Sequence, residues 1–125
     1  MARRRMFSLD VVDTDLFLEM PASAQALYFH LGMRADDDGF VSSPKRILRS
    51  TGCAEDDLRL LIAKNFIIPF GSGVCVITDW KLNNYIRNDR YTPTIYIAEN
   101  ADISTLPSGR YFLGIPDGDQ MVDER

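Results

Sequence analysis

The feature that most constrains the fold is an abrupt change of pattern near the middle of the 125-residue chain. From residue 66 to residue 78, β-branched and aromatic residues flank the turn-forming sequence Gly71-Ser72-Gly73. This composition is typical of two short strands joined by a tight turn, so it predicts a β-hairpin. Pro69 has no amide proton to donate to a strand ladder, which predicts that the first strand lies at a sheet edge.

A helix is predicted over residues 22–34, with Ser23 as its N-cap. Its apolar residues recur at helical spacing and form one stripe for a core: Ala24, Leu27, Tyr28 and Leu31. The acidic run Asp36-Asp37-Asp38 before Gly39 indicates a turn, because it lacks the alternating ligands and the distant glutamate of a calcium loop. Phe40-Val41 then predicts a short strand.

Two more helices are predicted between this turn and the hairpin. Ser43 as N-cap and Pro44 at the first helical position begin the second helix, and Gly52 ends it. The third helix runs from about Ala54 to Asn65, and three carboxylates in its first turn favour the helix dipole. Three helices followed by a two-stranded hairpin is the order of a winged helix, so we predict an α+β fold of that type.

The ends of the chain carry weaker patterns. We expect a winged-helix domain over residues 1–99, whose last helix begins at Thr92-Pro93. Residues 100–125 are expected to form a partly disordered C-terminal extension. This extension is either weakly ordered or contains a small strand around Tyr111-Phe112-Leu113, and a disordered tail is expected from Pro116 onward.

The net charge of −4 conceals an uneven distribution along the chain. Residues 44–90 contain 8 basic and 5 acidic side chains, whereas residues 1–43 contain 4 and 7, and residues 91–125 contain 2 and 6. A positive middle between two negative ends is compatible with a cationic face that binds phosphates, although charge also fluctuates by chance.

Two sets of basic residues are candidates for DNA binding, and a solvated surface is the alternative for each. Lys45 and Arg49 are i, i+4 neighbours on the second helix, with Arg46 adjacent, so together they can meet successive phosphates. The second set is interleaved with Tyr85 and Tyr91 and accompanied by amides: Lys81, Arg87 and Arg90, with Asn83, Asn84 and Asn88.

Three other features bear on how DNA would be approached. The carboxylates of Glu55, Asp56 and Asp57 would repel phosphates, which argues against standard insertion of the third helix into the major groove. The run Arg3-Arg4-Arg5 is either a minor-groove arm or a solubilising terminus. Trp80, at the hairpin exit, is either a core residue or a stacking platform for bases, and the core role is favoured.

The sequence gives no sign of an enzyme, so we predict a non-enzymatic protein with no cofactor and no metal. Cys53, Cys75 and His30 are too few and too widely spaced for a zinc site, and none belongs to a nucleophile–base motif. Cys75 lies in an apolar run and is expected to be buried. No segment approaches 18 consecutive apolar residues, and two lone cysteines are typical of a reducing cytoplasm, which is the predicted location.

Several stretches together resemble the N-terminal domain of phage and prophage replisome organisers, the DnaD-type replication proteins. The resemblance covers roughly residues 1–99 and is carried by Met6-Phe7-Ser8, Ser23 to Val41, Glu55 to Lys64, Trp80, Asn84-Tyr85-Ile86 and Asp89-Arg90-Tyr91. It implies a winged helix that binds double-stranded DNA at a replication origin, self-associates, and acts with replisome proteins such as a helicase loader. Two alternative functions stay open. The chain is either a protein-interaction or oligomerisation module of a replication complex, or a transcriptional regulator.

Overall fold

A computed structural model describes residues 3–114 as an α+β fold of short helices and two small antiparallel sheets. In chain order the elements are α1 (Leu9–Val12), α2 (Asp15–Leu18), α3 (Ala22–Met33), β1 (Phe40–Val41), α4 (Pro44–Thr51), α5 (Glu55–Ala63), β2 (Ile67–Pro69), β3 (Cys75–Ile77), α6 (Trp80–Asn83), α7 (Ile97–Ala101), β4 (Ile103–Thr105) and β5 (Tyr111–Leu113). No helix within residues 3–114 is both long enough and apolar enough to cross a membrane.

Helix α3 is the centre of the core and packs against both α4 and α5. The predicted stripe is confirmed, since Ala24, Leu27, Tyr28 and Leu31 are all fully buried. The prediction of Ser23 as N-cap is wrong. Pro21 occupies that position, and the Ser23 hydroxyl instead donates to Asp57 Oδ1 at 2.8 Å, which links α3 to the first turn of α5.

Helix α4 has the predicted bounds. Ser43 occupies the N-cap position, although its hydroxyl makes no capping hydrogen bond, and Pro44 is at the first helical position, where a missing amide proton costs nothing. Ile47 and Leu48 are buried toward the core. Gly52 ends the helix in the left-handed conformation with φ of 75°, which glycine adopts without steric strain.

The larger sheet joins the predicted hairpin to the short strand Phe40–Val41. The strand order is β1-β3-β2, with both pairs antiparallel, so Val76 in the central strand faces Phe40 on one side and Ile68 on the other. Both the hairpin and the short strand are therefore confirmed. Pro69 lies in an edge strand, as its missing donor requires.

The acidic run forms the predicted turn between α3 and β1. Asp36 Oδ1 accepts from the backbone amides of Asp38 and Phe40, and Gly39 completes the turn with φ of 93°. The remaining carboxylate oxygens bind segments that lie far away in sequence. The turn therefore also links segments of the chain that are far apart in sequence.

The predicted helix start at Thr92 is wrong, because residues 91–96 are not helical and α7 begins at Ile97. The amide of Thr92 donates to Asp37 Oδ2 at 3.0 Å, and the amide of Thr94 donates to Asp38 Oδ2 at 2.8 Å. The Thr94 hydroxyl also donates to Asp36 Oδ2. These bonds to the acidic turn hold the segment extended, and they outweigh a local helix signal.

The second sheet is a hairpin of β4 and β5, which confirms a strand at Tyr111–Leu113. It packs onto the first 99 residues through the Tyr111 amide, which donates to the Thr78 carbonyl, and through an ion pair of 3.1 Å between Arg110 Nε and Asp79 Oδ1. The predicted disordered tail from Pro116 lies outside the described residues.

Candidate nucleic-acid interface

A groove of about 670 Å³ lies between α4, α5 and the β2–β3 hairpin, and we call it the α4 groove. Its apolar lining comes from α5 and the sheet, including Leu58, Ile62 and Ile67. Lys45, Arg46 and Arg49 line it from α4. The structure thus brings the first predicted set of cations together on one wall of a single groove.

These three cations are available to a ligand. All are exposed, because Ile47 and Leu48 take the inward face of α4. Within residues 3–114, none of the three side chains forms an ion pair or hydrogen bond, since the four ion pairs present join other residues. Three unpaired positive charges within five residues make a surface that attracts phosphates.

The hairpin turn Gly71-Ser72-Gly73 also borders the α4 groove. The Ser72 hydroxyl donates to Glu99 Oε2 of α7 at 2.7 Å, so a carboxylate lies beside the turn. The sequence does not indicate a role for Glu99, because Ser72 and Glu99 are 27 positions apart. This carboxylate lowers the positive potential at the hairpin side of the groove.

The acidic first turn of α5 has a structural role. Asp57 is buried, and its two oxygens accept from the Ala54 amide and from the Ser23 hydroxyl, each at 2.8 Å. Asp56 forms an exposed ion pair with Arg59 at 2.9 Å. Asp57 in particular holds the start of the helix, which agrees with the dipole-stabilising role predicted for these acids.

The second set of cations lies elsewhere. Lys81 lines a separate groove of about 410 Å³ that shares no lining residue with the α4 groove, and its ammonium lies 3.4 Å from Thr105 Oγ1. Arg87 pairs with Asp89 at 3.2 Å, with both side chains exposed, and Arg90 is exposed. The two predicted sets therefore do not form one continuous groove.

Two of the three amides predicted to bind DNA are used internally. Asn83 is buried, accepts from the Ser8 amide, and donates to the Tyr28 hydroxyl. Asn84 exchanges hydrogen bonds with the backbone amide and carbonyl of Met6. Both amides anchor the N-terminal segment, and the half-buried Asn84 also lines the second groove. Asn88 is exposed and lines the second groove.

Arg5, the last residue of the basic N-terminal run, does not have the role that the sequence predicts for it. The Arg5 side chain is only 2% exposed and forms a 3.1 Å ion pair with the fully buried carboxylate of Asp37. It also donates to the Ala35 carbonyl and lies 5.2 Å from the centroid of Trp80. Both predicted roles are therefore wrong for Arg5. Trp80 is buried and its indole donates to the Asp37 carbonyl, so the core role predicted for it is confirmed.

The cysteines are both free, and Cys53 is half-buried. Cys75 is buried as predicted, and burial raises the pKa of its thiol to about 12, so it is not a nucleophile near neutral pH. Residues 3–114 contain no group of three or more histidine, cysteine or acidic side chains placed to hold a metal ion.

Comparison with known proteins leaves the interpretation to the sequence and the geometry. No family model, no curated protein and no solved structure matches the chain.

Proposed function

We propose that this chain is a winged-helix module that binds double-stranded DNA through the α4 groove. The observation that carries the proposal is the unpaired cluster of Lys45, Arg46 and Arg49 beside the hairpin turn.

The element order supports the choice of fold. Helix α3, strand β1, helices α4 and α5, and the β2–β3 hairpin follow one another in the order of a winged helix, and β1 completes a three-stranded sheet. In such a scaffold the hairpin is the wing, and here it borders the same groove as the α4 cations. A duplex can then touch a helix and the wing at once.

The charges favour contact with the DNA backbone over reading of base edges. Glu55 and the exposed Asp56 at the start of α5 oppose entry of that helix into a groove lined by phosphates. The Lys45 ammonium is a compact positive charge, and the planar guanidinium groups of Arg46 and Arg49 can each donate two hydrogen bonds at once. All three groups therefore suit phosphate oxygens. We therefore expect affinity that depends strongly on salt and weakly on base sequence.

The test is duplex binding measured by fluorescence anisotropy across salt concentrations. Three phosphate contacts should give a log–log slope of about −2.7. A triple variant, Lys45→Ala/Arg46→Ala/Arg49→Ala, should lose most of the affinity and most of this slope. These side chains are exposed, so the variant should fold normally.

A charge-matched variant controls for net charge. Arg34, Arg59 and Lys64 neither line the α4 groove nor belong to a basic set predicted to bind DNA, and replacing all three with alanine removes the same charge. This control should bind nearly as the unaltered protein does. Equal losses in the two variants, or no duplex binding at low salt, would contradict the proposal.

The replication context rests on the resemblance of the sequence to replisome organisers. Self-association, a helicase-loading partner and a cytoplasmic location remain predictions from that resemblance and from the composition. Light scattering on the unaltered protein and on the triple variant tests self-association separately, because an oligomer held by other surfaces would keep its mass when the α4 cations are removed.

A further inference from the structure

The second groove, which we call the aromatic groove, combines rings, amides and a cation. It lies between α6, the segment that follows it, and the acidic turn, and its volume is about 410 Å³. Trp80 and Tyr111 form its buried side, while Tyr85 and Tyr91 line it with side chains that are 80% and 41% exposed. Trp80, Tyr91 and Tyr111 each donate a hydrogen bond to the acidic turn, whereas Tyr85 has no such partner.

The two exposed tyrosines are held in different ways. The Tyr91 hydroxyl donates to the Asp38 carboxylate, 2.7 to 2.8 Å from its two oxygens, so its ring is fixed to the acidic turn. The Tyr85 side chain makes no hydrogen bond or ring contact with the described part of the chain. A large ring left this exposed contributes little to folding and is free to stack on a ligand.

The carboxylates in the aromatic groove are already engaged. Asp37 is buried and paired with Arg5, and Asp38 accepts from both the Tyr91 hydroxyl and the Thr94 amide. Their charges are therefore partly offset from within the protein. Asp37 is buried and does not meet a ligand, whereas the half-buried Asp38 has both oxygens engaged by Tyr91 and Thr94.

The exposed edge of the aromatic groove is positive and polar. Lys81 and Asn88 line it, and Arg87 and Arg90 flank Asn88 in the same turn. The ion pair of Arg87 with Asp89 is exposed on both sides, with 70% and 60% of the side chains accessible, so it yields easily to a phosphate. Lys81 lines the same groove as Tyr85, and Arg87 and Arg90 lie within five residues of Tyr85 in the sequence, in the turn that contains the groove residue Asn88.

We propose that the aromatic groove binds single-stranded nucleic acid, with an unpaired base stacked on Tyr85 and the neighbouring phosphates contacted by Lys81, Arg87 and Arg90. Exposed aromatic rings among cations are the elements by which proteins hold unpaired strands without strong sequence preference. Duplex DNA does not present its base faces, so this site takes a different ligand from the α4 groove. The proposal goes beyond duplex binding and does not depend on it.

The test is anisotropy of a labelled oligodeoxythymidine 12-mer. Tyr85→Ala should weaken binding by roughly fivefold or more, whereas Tyr85→Phe, which keeps the ring, should bind within about twofold of the unaltered protein. Ile97, also exposed but outside this groove, supplies a control in Ile97→Ala. The triple variant of α4 should still bind the oligomer, which separates this proposal from the duplex one.

Photo-crosslinking gives a second readout that does not depend on affinity. An oligomer carrying 5-iodouracil should crosslink at Tyr85, identified by mass spectrometry of the peptides, and a matching ribo-oligomer distinguishes DNA from RNA as the source of the bases. Binding that is equal in Tyr85→Ala and the unaltered protein would overturn the proposal. So would crosslinks confined to the α4 groove, or no binding to either oligomer at low salt.

Discussion

Arg5 and Asp37 illustrate how much a single buried pair contributes to this fold. The guanidinium is enclosed by the Asp37 carboxylate, the Ala35 carbonyl and the Trp80 ring, and the Asp37 side chain is fully buried. A buried charge without its partner is costly, because the low-dielectric interior does not solvate it. The N-terminal segment is thus tied to the acidic turn by electrostatics.

Replacing Arg5 should therefore destabilise the protein. We expect Arg5→Ala to lower the free energy of unfolding by about 3 kcal/mol, because Asp37 is left unpaired. Arg4 is exposed, so Arg4→Ala should change the free energy of unfolding by no more than about 0.5 kcal/mol. Urea denaturation compares the two, and similar values for both variants would show that the ion pair does not matter.

The surroundings of Tyr91 predict that the stability of the folded protein depends on pH in the alkaline range. Burial, together with the hydrogen bond to Asp38, raises the pKa of Tyr91 to about 12 from its ordinary value of 10. The folded state thus holds the phenolic proton more tightly than the unfolded state, so its stabilisation is complete below pH 10 and is lost as pH rises toward 12.

The measurement is the thermal stability of the unaltered protein and of Tyr91→Phe from pH 9 to pH 12. At pH 9 the variant should be less stable by about 1 kcal/mol, since it lacks the hydrogen bond to the carboxylate. The difference should vanish as pH approaches 12. A difference that stays constant over this range would mean that Tyr91 does not titrate as its surroundings require.

At this scale, side chains whose partners are local were predictable and those with distant partners were not. The outward positions of Lys45, Arg46 and Arg49 follow from the spacing of Ile47 and Leu48 on one helix. Arg5 meets a partner 32 residues away, and Asn83 and Asn84 bind a segment about 75 residues away. Nothing in the local pattern distinguishes such residues from solvated ones.

Among the elements, the turn between α3 and β1 is the most tightly constrained. Gly39 has φ of 93°, and a Cβ added there would lie 2.6 Å from Trp80 Cγ. Gly71, in the hairpin turn, has open space around it and no positive φ. These two glycines are therefore a matched pair for testing the role of the turn.

Gly39→Ala should destabilise the protein by about 3 kcal/mol, from backbone strain and overpacking together. Gly71→Ala should change stability by less than about 1 kcal/mol. Chemical denaturation followed by Trp80 fluorescence measures both. Equal stability of the two variants would indicate that Trp80 can move away without cost.

Helix α7 offers a prediction about DNA affinity. Glu99 accepts from Ser72 at the hairpin turn, and Glu99→Gln removes its charge while keeping an acceptor. Loss of one repulsive charge near the α4 groove should tighten duplex binding by about two- to fivefold at low salt. Asp102→Asn, an equal charge change at the exposed end of α7, should have a smaller effect, and equal gains would argue against a local role of Glu99.

The elements that the sequence predicted well are those fixed by local chemistry. A few neighbouring residues are enough to recognise the proline that begins α4, the glycine that ends it, and the Gly-Ser-Gly hairpin turn. The helix expected at Thr92 was misplaced because three bonds from the acidic turn hold Thr92 and Thr94 extended. The sequence permits a strand at Tyr111–Leu113 but does not require it, since its partner strand and its contact with Thr78 are tertiary features.

At the scale of the whole molecule, the protein has two surfaces with different chemistry. The α4 groove combines unpaired cations with the hairpin, and the aromatic groove combines exposed rings with Lys81. Their separation could not be predicted, because the sequence places both basic sets in one positive stretch and says nothing of how α4 and α6 are oriented. The overall acidity of the chain is compatible with both, since charge acts locally at physiological salt.

Duplex binding through the α4 groove is tested by NMR, with a residue-resolved map of backbone amide shifts as a short duplex is added. We expect shifts concentrated in α4 and the hairpin turn, over residues 43–51 and 70–74, and their loss in the triple variant. Shifts that avoid these two segments, or that persist unchanged in the variant, would contradict binding through this groove.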